Sequence, residues 1–174
     1  MNEAVVDDIM AVLPPLLESL DALAFVARRL HPPVFGRVMQ AIGTPDEALQ
    51  AVRPRLDGWS PQFKPVGTAL KAAIDATLTA FAGLRRVEQG DGDLVAVFRA
   101  LRHSPRALEA LYPLAEKFPP VSDFFLDPSL LEDDGFKSRF DRPAAKDSGV
   151  FHHDNEPGSR GGFSLYVPEY YTRS

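Results

Sequence analysis

Histidine and serine side chains can act as metal ligands, bases or nucleophiles, so the first question about function is whether any of them does so in this chain. His152 and His153 stand beside Asp154, and all three are residue types that ligate metal ions. Adjacent side chains of a strand point to opposite faces, so on a strand the two imidazoles would diverge. The chain has no cysteine and no HExxH pattern. We therefore predict no metal site. His31 and His103 stand at predicted helix ends, where the helix dipole favours histidine.

The serines give no sign of a nucleophile. A catalytic serine requires an activating base and an oxyanion hole, and no serine here lies in a GxSxG sequence. Ser104, Ser122 and Ser129 instead stand where helices are predicted to begin, as N-caps or in the first turn. The glycine-rich sequence GSRGG neither follows a strand nor opens a helix, so it is a poor phosphate loop. We predict no catalytic residue and no cofactor.

Acidic pairs could supply general acid and base groups. Asp7 and Asp8 are adjacent, and Glu132, Asp133 and Asp134 form a second run. A catalytic dyad requires burial that shifts one pKa. Because both runs lie in polar surroundings, we interpret them as solvated surface.

Aromatic residues concentrate late in the helical part of the chain. The favoured interpretation is a core that packs the last two helices against each other, and the alternative is an apolar groove for an acyl chain or a partner. The residues concerned are Phe118, Phe124, Phe125, Phe136 and Phe140.

Helical signals dominate the first 140 residues. Apolar residues recur at helical spacing from Val5 to Leu13, and Pro14 and Pro15 are expected to break or restart that helix. A long helix is predicted over 66–87, and further helices are predicted to begin after Asp93, after Ser104 and at Asp127-Pro128. The predicted core consists of Leu16, Leu20, Leu23, Leu30, Leu70, Ile74, Leu78, Phe81, Val97, Leu101, Leu108, Leu111 and Leu114.

The pattern changes after residue 140. Residues 141–146 are polar and indicate a linker, and two short apolar runs follow, Val150 to His152 and Phe163 to Val167, separated by a turn-rich segment. This pattern predicts a β-hairpin. We expect a mainly α protein, with an irregular helical bundle over residues 1–140 and a C-terminal extension with a small β-hairpin over 141–174.

Composition excludes several function classes. The chain has 174 residues, a net charge of −5 and 45% hydrophobic residues, with lysine and arginine scattered along it. This is typical of a globular domain and gives no electrostatic footprint for nucleic acid. The acidic N-terminus does not resemble a secretory signal, and no apolar stretch approaches the roughly 18–20 residues of a membrane span. We expect a cytoplasmic protein.

The sequence RGGFSLYVPEYY, Arg160 to Tyr171, resembles the opening strand of esterases of the α/β-hydrolase superfamily. It is most similar to the predicted phospholipase/carboxylesterase group, which is also similar to feruloyl esterases and polyhydroxyalkanoate depolymerases. The upstream stretches LPPLLESLDAL and FRALRHSPRALEALYPLAEKFPPVSDFFL resemble the helical N-terminal regions of some bacterial members. The resemblance covers most of the chain, but its one family-specific motif is the final strand.

In that family an HGG-type oxyanion loop, a GxSxG nucleophile, an acid and a histidine follow the opening strand. None of these motifs occurs here, so no catalytic residue of the family carries over to any position of this chain. The resemblance implies the N-terminal region of a longer carboxylic-ester hydrolase, with residues 141–174 leading into an absent α/β-hydrolase domain.

Two functions of different classes follow from these observations. The first is an accessory helical region of a carboxylesterase-like or phospholipase-like hydrolase, inactive by itself. The second is a self-standing helical protein-interaction module that uses the Phe118–Phe140 region or the strand edge. The expected partner at the C-terminal strand is a hydrolase domain or a second copy of the chain.

Overall fold

Helices account for most of the described chain, which confirms the predicted mainly α class. The computed structural model describes residues 3–115, 117–135, 138, 149–154 and 162–168. The α-helices of this part are α1 (Glu3–Arg28), α2 (Phe35–Ile42), α3 (Pro45–Val52), α4 (Lys64–Glu88), α5 (Leu94–Leu101), α6 (His103–Leu111), α7 (Pro119–Phe124) and α8 (Pro128–Leu131). Short 3₁₀ helices span Pro32–Val34, Arg53–Leu56, Pro61–Phe63 and Tyr112–Leu114.

The chain divides into two compact units, Met1–Leu111 and Tyr112–Ser174. We refer to them as unit 1 and unit 2. The predicted domain boundary between residues 140 and 141 lies outside the described residues, and it stays a prediction.

The core of unit 1 forms around the two long helices. Helix α1 buries a row that includes Ile9, Leu16 and Leu23, at the spacing of one helical face. Helix α4 buries Ile74 and Phe81 in the same way. One cluster of buried residues in this core consists of Leu23, Val26, Val38, Met39, Ala80, Phe81, Leu84, Val97 and Ala100. Helices α1, α2, α4 and α5 therefore share one core.

The predicted break at Pro14 and Pro15 is wrong, because α1 continues through both prolines. A proline inside a helix costs about 3 kcal/mol, through a missing hydrogen bond and a steric clash. Leu13 and Leu16 flank the prolines and are buried, whereas Pro14 is exposed. Each buried leucine stabilises the fold by about 1.5–3 kcal/mol. The two prolines together cost about 6 kcal/mol, which these two leucines alone do not offset. Helix α1 buries eight apolar side chains along its length, and their combined burial outweighs that cost.

Helix α1 also corrects the expectation about apolar length. By length and composition alone it could cross a membrane. This is weak evidence for a membrane span, because a core helix of a soluble protein meets the same criteria. In this fold α1 buries Leu16, Leu20 and Leu23 among the core residues.

Two of the predicted helix starts are confirmed and two are wrong. Asp93 caps α5 by accepting a hydrogen bond from Ala96 N at 3.0 Å. Asp127 caps α8 by accepting from Ser129 N at 2.9 Å. Helix α6 begins at His103, before Ser104. Ser122 lies inside α7, where its hydroxyl donates to the Ala115 carbonyl instead of capping a turn.

Most of the predicted core residues are buried. Leu30, Leu78, Leu101 and Leu108 are the exceptions, since each is half-buried. Leu30 follows the end of α1 at Arg28, whereas the other three lie within helices, where periodicity alone does not separate core from boundary.

Two strands are described near the C-terminus, β1 (Gly149–Asp154) and β2 (Gly162–Val167). They pair antiparallel, with Phe151 opposite Leu165. The connection over 155–161 lies outside the described residues. The predicted C-terminal extension with its β-hairpin therefore stays a prediction.

Candidate functional site

The loop between α3 and α4 is anchored by Trp59, the single tryptophan of the chain. Its Nε1 donates to Asp8 Oδ2 at 3.0 Å and to the Arg55 carbonyl at 3.0 Å. A Cβ at Gly67 would lie 3.1 Å from the indole ring, so the missing side chain of this glycine lets the ring lie close against α4. The loop is thereby fixed to α1 and to α4.

A surface depression of about 320 Å³ lies beside this anchor. Its lining residues are Leu56, Gly58, Trp59, Pro61, Lys64, Gly67, Thr68 and Lys71. Lys71 Nζ lies 2.6 Å from Asp57 Oδ1. The hydrogen bond from Lys71, followed by its positive charge, lowers the pKa of Asp57. Lys71 therefore forms an ion pair with Asp57. A carboxylate with a lowered pKa, such as Asp57, is a weak general base.

Arg85 joins α4 to the loop before α3. Its guanidinium donates to the Gly43 carbonyl, to Asp46 Oδ1 at 2.8 Å and to Glu88 Oε2 at 3.2 Å. The hydrogen bond to Asp46 is the main cause of the raised pKa of Arg85. Because the hydrogen bonds to Gly43 and Asp46 join α4 to the start of α3, the network stabilises the packing of the two helices.

Helix α5 presents an unusual apolar surface. Val97 and Ala100 face the core, whereas Leu94, Val95 and Phe98 are 39%, 56% and 56% exposed. Large apolar side chains normally lie on the buried side of a surface helix, and polar residues lie on the side that faces solvent. We name Leu94, Val95 and Phe98 the α5 apolar face, and it is the strongest candidate for a binding surface in the described part of unit 1.

Close contact between α4 and α5 explains this orientation. A Cβ on Gly83 would lie 2.6 Å from Ala100 Cβ, so the backbones approach closely where two small residues meet. A small residue is therefore required at Ala100, and Val97 is buried in the same cluster. Leu94, Val95 and Phe98 remain exposed on the other side of α5.

The aromatic residues of unit 2 form an edge-to-face group. The ring centroid of Phe125 lies 5.6 Å from that of Phe124 and 5.4 Å from that of Tyr112, with interplanar angles of 82° and 77° respectively. Phe125 is nonetheless 37% exposed, so part of this group lies at the surface. Phe136 and Phe140 lie outside the described residues. The choice between a core and a groove at Phe118–Phe140 stays open.

The predicted acidic runs are surface residues, with one exception. Glu132, Asp133 and Asp134 are exposed, and so is Asp7. Asp8 is half-buried, and it accepts the hydrogen bond from Trp59 and lies 3.7 Å from Arg55 Nη1. Asp8 is therefore a structural anchor that the sequence did not reveal, because its partners are about fifty residues away.

The histidines fall into two groups. His103 is the first residue of α6, whereas the sequence predicts it to cap the C-terminal end of the preceding helix. His31 lies between α1 and the first 3₁₀ helix, where its carbonyl accepts from Val34 N. His152 and His153 lie on β1 opposite Ser164 and Phe163. Among the described residues, no group of three His, Cys, Asp or Glu side chains could hold a metal ion.

Comparisons with known proteins add no relative to this picture. No family model matches the chain, no curated protein matches it, and no solved structure matches it. Any function must consequently be argued from the residues and their geometry.

Proposed function

We propose that this chain is an accessory helical region of a carboxylesterase-like or phospholipase-like hydrolase, and that it does not catalyse ester hydrolysis by itself. The observation that carries the proposal is the strand sequence GFSLYV, which is the central part of the segment resembling the opening strand of that family. The helical part would then support or cover a hydrolase domain in which the nucleophile, base and oxyanion hole reside.

The pairing of β2 supports this proposal. A sheet of two strands alone is marginally stable in water. Leu165 of β2 is 51% exposed, although it is a large apolar residue in a strand that alternates apolar and polar positions. A larger sheet on which β1 and β2 form the first strands would bury such a side chain and satisfy the open strand edge.

The chemistry of the described serines also supports a non-catalytic role. Ser129 Oγ donates to Asp127 Oδ1 at 2.7 Å, a contact that could be mistaken for an activated nucleophile. The same hydroxyl lowers the pKa of Asp127, which makes this carboxylate a poorer base. The pair therefore serves as a helix cap and does not activate Ser129.

Fluorophosphonate labelling tests the proposal, because this reagent reacts with activated serine nucleophiles. The native protein is captured from its own cells with an antibody against unit 1, and the captured material is labelled and sequenced by mass spectrometry. We expect a labelled GxSxG serine, in the same polypeptide or in a tightly bound one. We also expect the 174-residue chain alone to hydrolyse p-nitrophenyl esters no faster than buffer does. Captured material with no labelled serine, or esterase activity of the lone chain that a Ser129→Ala substitution removes, contradicts the proposal.

Amide hydrogen exchange gives an independent test of the strand. In the chain by itself, the amides of Phe163 to Val167 should exchange much faster than those of α1 and α4, because the neighbouring strands of the proposed sheet are missing. Protection equal to that of the central helices at dilutions where the chain is monomeric would indicate a complete fold. That result contradicts the hydrolase assignment.

The alternative function, a self-standing interaction module, is favoured by a different observation. The α5 apolar face is exposed and belongs to unit 1, which does not contain the strands. A protein that binds this face without any labelled serine hydrolase in the complex would favour the alternative.

A further inference from the structure

Helix α5 combines an exposed apolar face with opposite charges at its two ends. Asp91 and Asp93 precede the helix, and Arg102 follows it. All three are exposed. Leu94, Val95 and Phe98 lie between them, and Arg102 is one helical turn beyond Phe98 on the same face. Along the axis of α5, the surface is therefore acidic at the N-terminal end, apolar in the middle and basic at the C-terminal end.

This order is self-complementary. If two copies of α5 lie side by side and antiparallel, the acidic end of each helix lies against the basic end of the other. A two-fold axis near Phe98 would place the two phenyl rings together at the centre of the contact. Such an isologous contact is the commonest geometry of homodimers. We propose that the α5 apolar face is a self-association surface for a second copy of this chain.

The charged groups at the ends are suitably placed for this contact. Asp93 uses Oδ1 to cap its own helix, which leaves Oδ2 for a partner. Asp91 is paired with Arg86 at 3.0 and 2.9 Å, so it contributes less. Neither Arg99 nor Arg102 takes part in a salt bridge within the described residues. Antiparallel packing also opposes the dipoles of the two helices, which is favourable.

The area of the surface sets the strength of the dimer. Three partly exposed side chains offer far less than the roughly 800 Å² per partner of a stable interface. The dimer is consequently weak and forms with increasing concentration. A weak contact with charges at both ends is also expected to loosen with salt.

Sedimentation velocity of the full chain over a concentration series tests the proposal. We expect a monomer–dimer equilibrium that Phe98→Asp weakens by at least about tenfold, because a central aromatic residue carries much of the energy of an interface. Met10→Asp is the matched control, since Met10 is 61% exposed on α1, away from this face. It should leave the equilibrium unchanged. Circular dichroism verifies that both variants fold.

A charge exchange sharpens the test. Arg102→Glu and Asp93→Lys should each weaken self-association by about three- to tenfold through like-charge contacts. A mixture of the two variants should restore the dimer, since each new charge then meets its opposite. Arg37→Glu on α2 makes the same change in net charge as Arg102→Glu, at another exposed position, and should have no effect. If the chain stays monomeric up to about 1 mM, or if Phe98→Asp and Met10→Asp act alike, the proposal is overturned.

The test separates this inference from the proposed function. A chain that is monomeric, but whose capture of a fluorophosphonate-labelled hydrolase is lost with Phe98→Asp, overturns self-association and leaves the accessory role standing. A dimer that forms as described, without any hydrolase in the captured material, supports self-association and contradicts the accessory role.

Discussion

The first unit of the chain buries long rows of apolar side chains, whereas the described part of the second unit depends more on local polar contacts. In unit 1, α1 and α4 are 26 and 25 residues long and contribute most of the core. In unit 2, α7 and α8 have 6 and 4 residues. Short helices are not stable by themselves, so their caps and end contacts matter more. Substitutions of the same type should therefore change the free energy of unfolding by very different amounts in the two units.

Replacement of phenylalanine by alanine should show the largest difference. Phe81 is 1% exposed at the centre of the unit 1 core, so Phe81→Ala should lower the free energy of unfolding by about 3–5 kcal/mol. Phe125→Ala in unit 2 removes a partly exposed ring with two edge-to-face contacts, each worth about 0.5–1.5 kcal/mol, so it should cost about 1–3 kcal/mol. Urea denaturation followed by far-UV circular dichroism measures both changes. Equal losses would contradict the assignment of Phe81 to the main core.

Close helix packing predicts a smaller effect in unit 1. In Gly83→Ala the added methyl group would meet Ala100 Cβ at 2.6 Å, and overpacking of this kind costs about 1–3 kcal/mol. Gly36→Ala on α2 is the matched control, because a Cβ there meets nothing within 4 Å. It should stabilise the helix by up to about 1 kcal/mol through helix propensity.

The double variant Gly83→Ala, Ala100→Gly completes this test. It removes the methyl group that the new one would meet, so it should recover much of the stability lost in Gly83→Ala. If the single variant is as stable as Gly36→Ala, then α4 and α5 do not approach as closely as described.

Helical periodicity predicted the parts of the fold in which one apolar face settles the structure. Leu16, Leu20, Leu23 and Ile74 are buried as expected, and the caps at Asp93 and Asp127 follow from local sequence. These features depend on residues within a few positions of one another. The sequence alone is sufficient for such short-range physics.

Long-range contacts explain what the sequence did not predict. The bond from Trp59 to Asp8 joins residues 51 positions apart, and no local pattern marks such a partner. Burial along the whole apolar face of α1 keeps the helix intact through two prolines, which is a tertiary effect. The α5 apolar face had a visible signal, since LVAVFRAL is apolar all round except for Arg99. The exposed side of that helix is the one left by the burial of Val97 and Ala100 against the core, which no local pattern marks.

The candidate site was the least predictable part. The sequence predicted no catalytic, metal or cofactor residue, and it gave a partner surface in the aromatic region of unit 2 only as the alternative to a packed core. The α5 apolar face in unit 1 was not anticipated, because exposure is a property of packing and not of composition. The clearest candidate binding surface therefore lies in unit 1, which also has the larger core, and not in unit 2.

The smallest predicted effect compares one carboxylate from each unit. In unit 1 the pKa of Asp57 is lowered by a hydrogen bond from Lys71 and by its positive charge. In unit 2 the pKa of Asp127 is lowered by hydrogen bonds from the Ser129 hydroxyl and backbone N–H, without a nearby cation among its causes. Each contributes stability above its ordinary pKa of 3.8, and this contribution is lost as the pH falls through the lower pKa of the folded state. Both effects thus disappear only in acid, below about pH 4.

Salt and substitution should separate the two causes. Added salt screens the charge of Lys71, so the pKa of Asp57 should rise toward 3.8 while that of Asp127 changes less. Ser129→Ala removes the hydroxyl donor and keeps the backbone bond, so the pKa of Asp127 should rise partway toward 3.8. Carboxyl carbon NMR titrations at low and high salt measure both groups, and Asp127→Asn identifies the Asp127 signal while it retains a capping side chain. A pKa of Asp127 that is unchanged by Ser129→Ala but rises with salt would mean that a charge, and not this local cap, stabilises the start of α8.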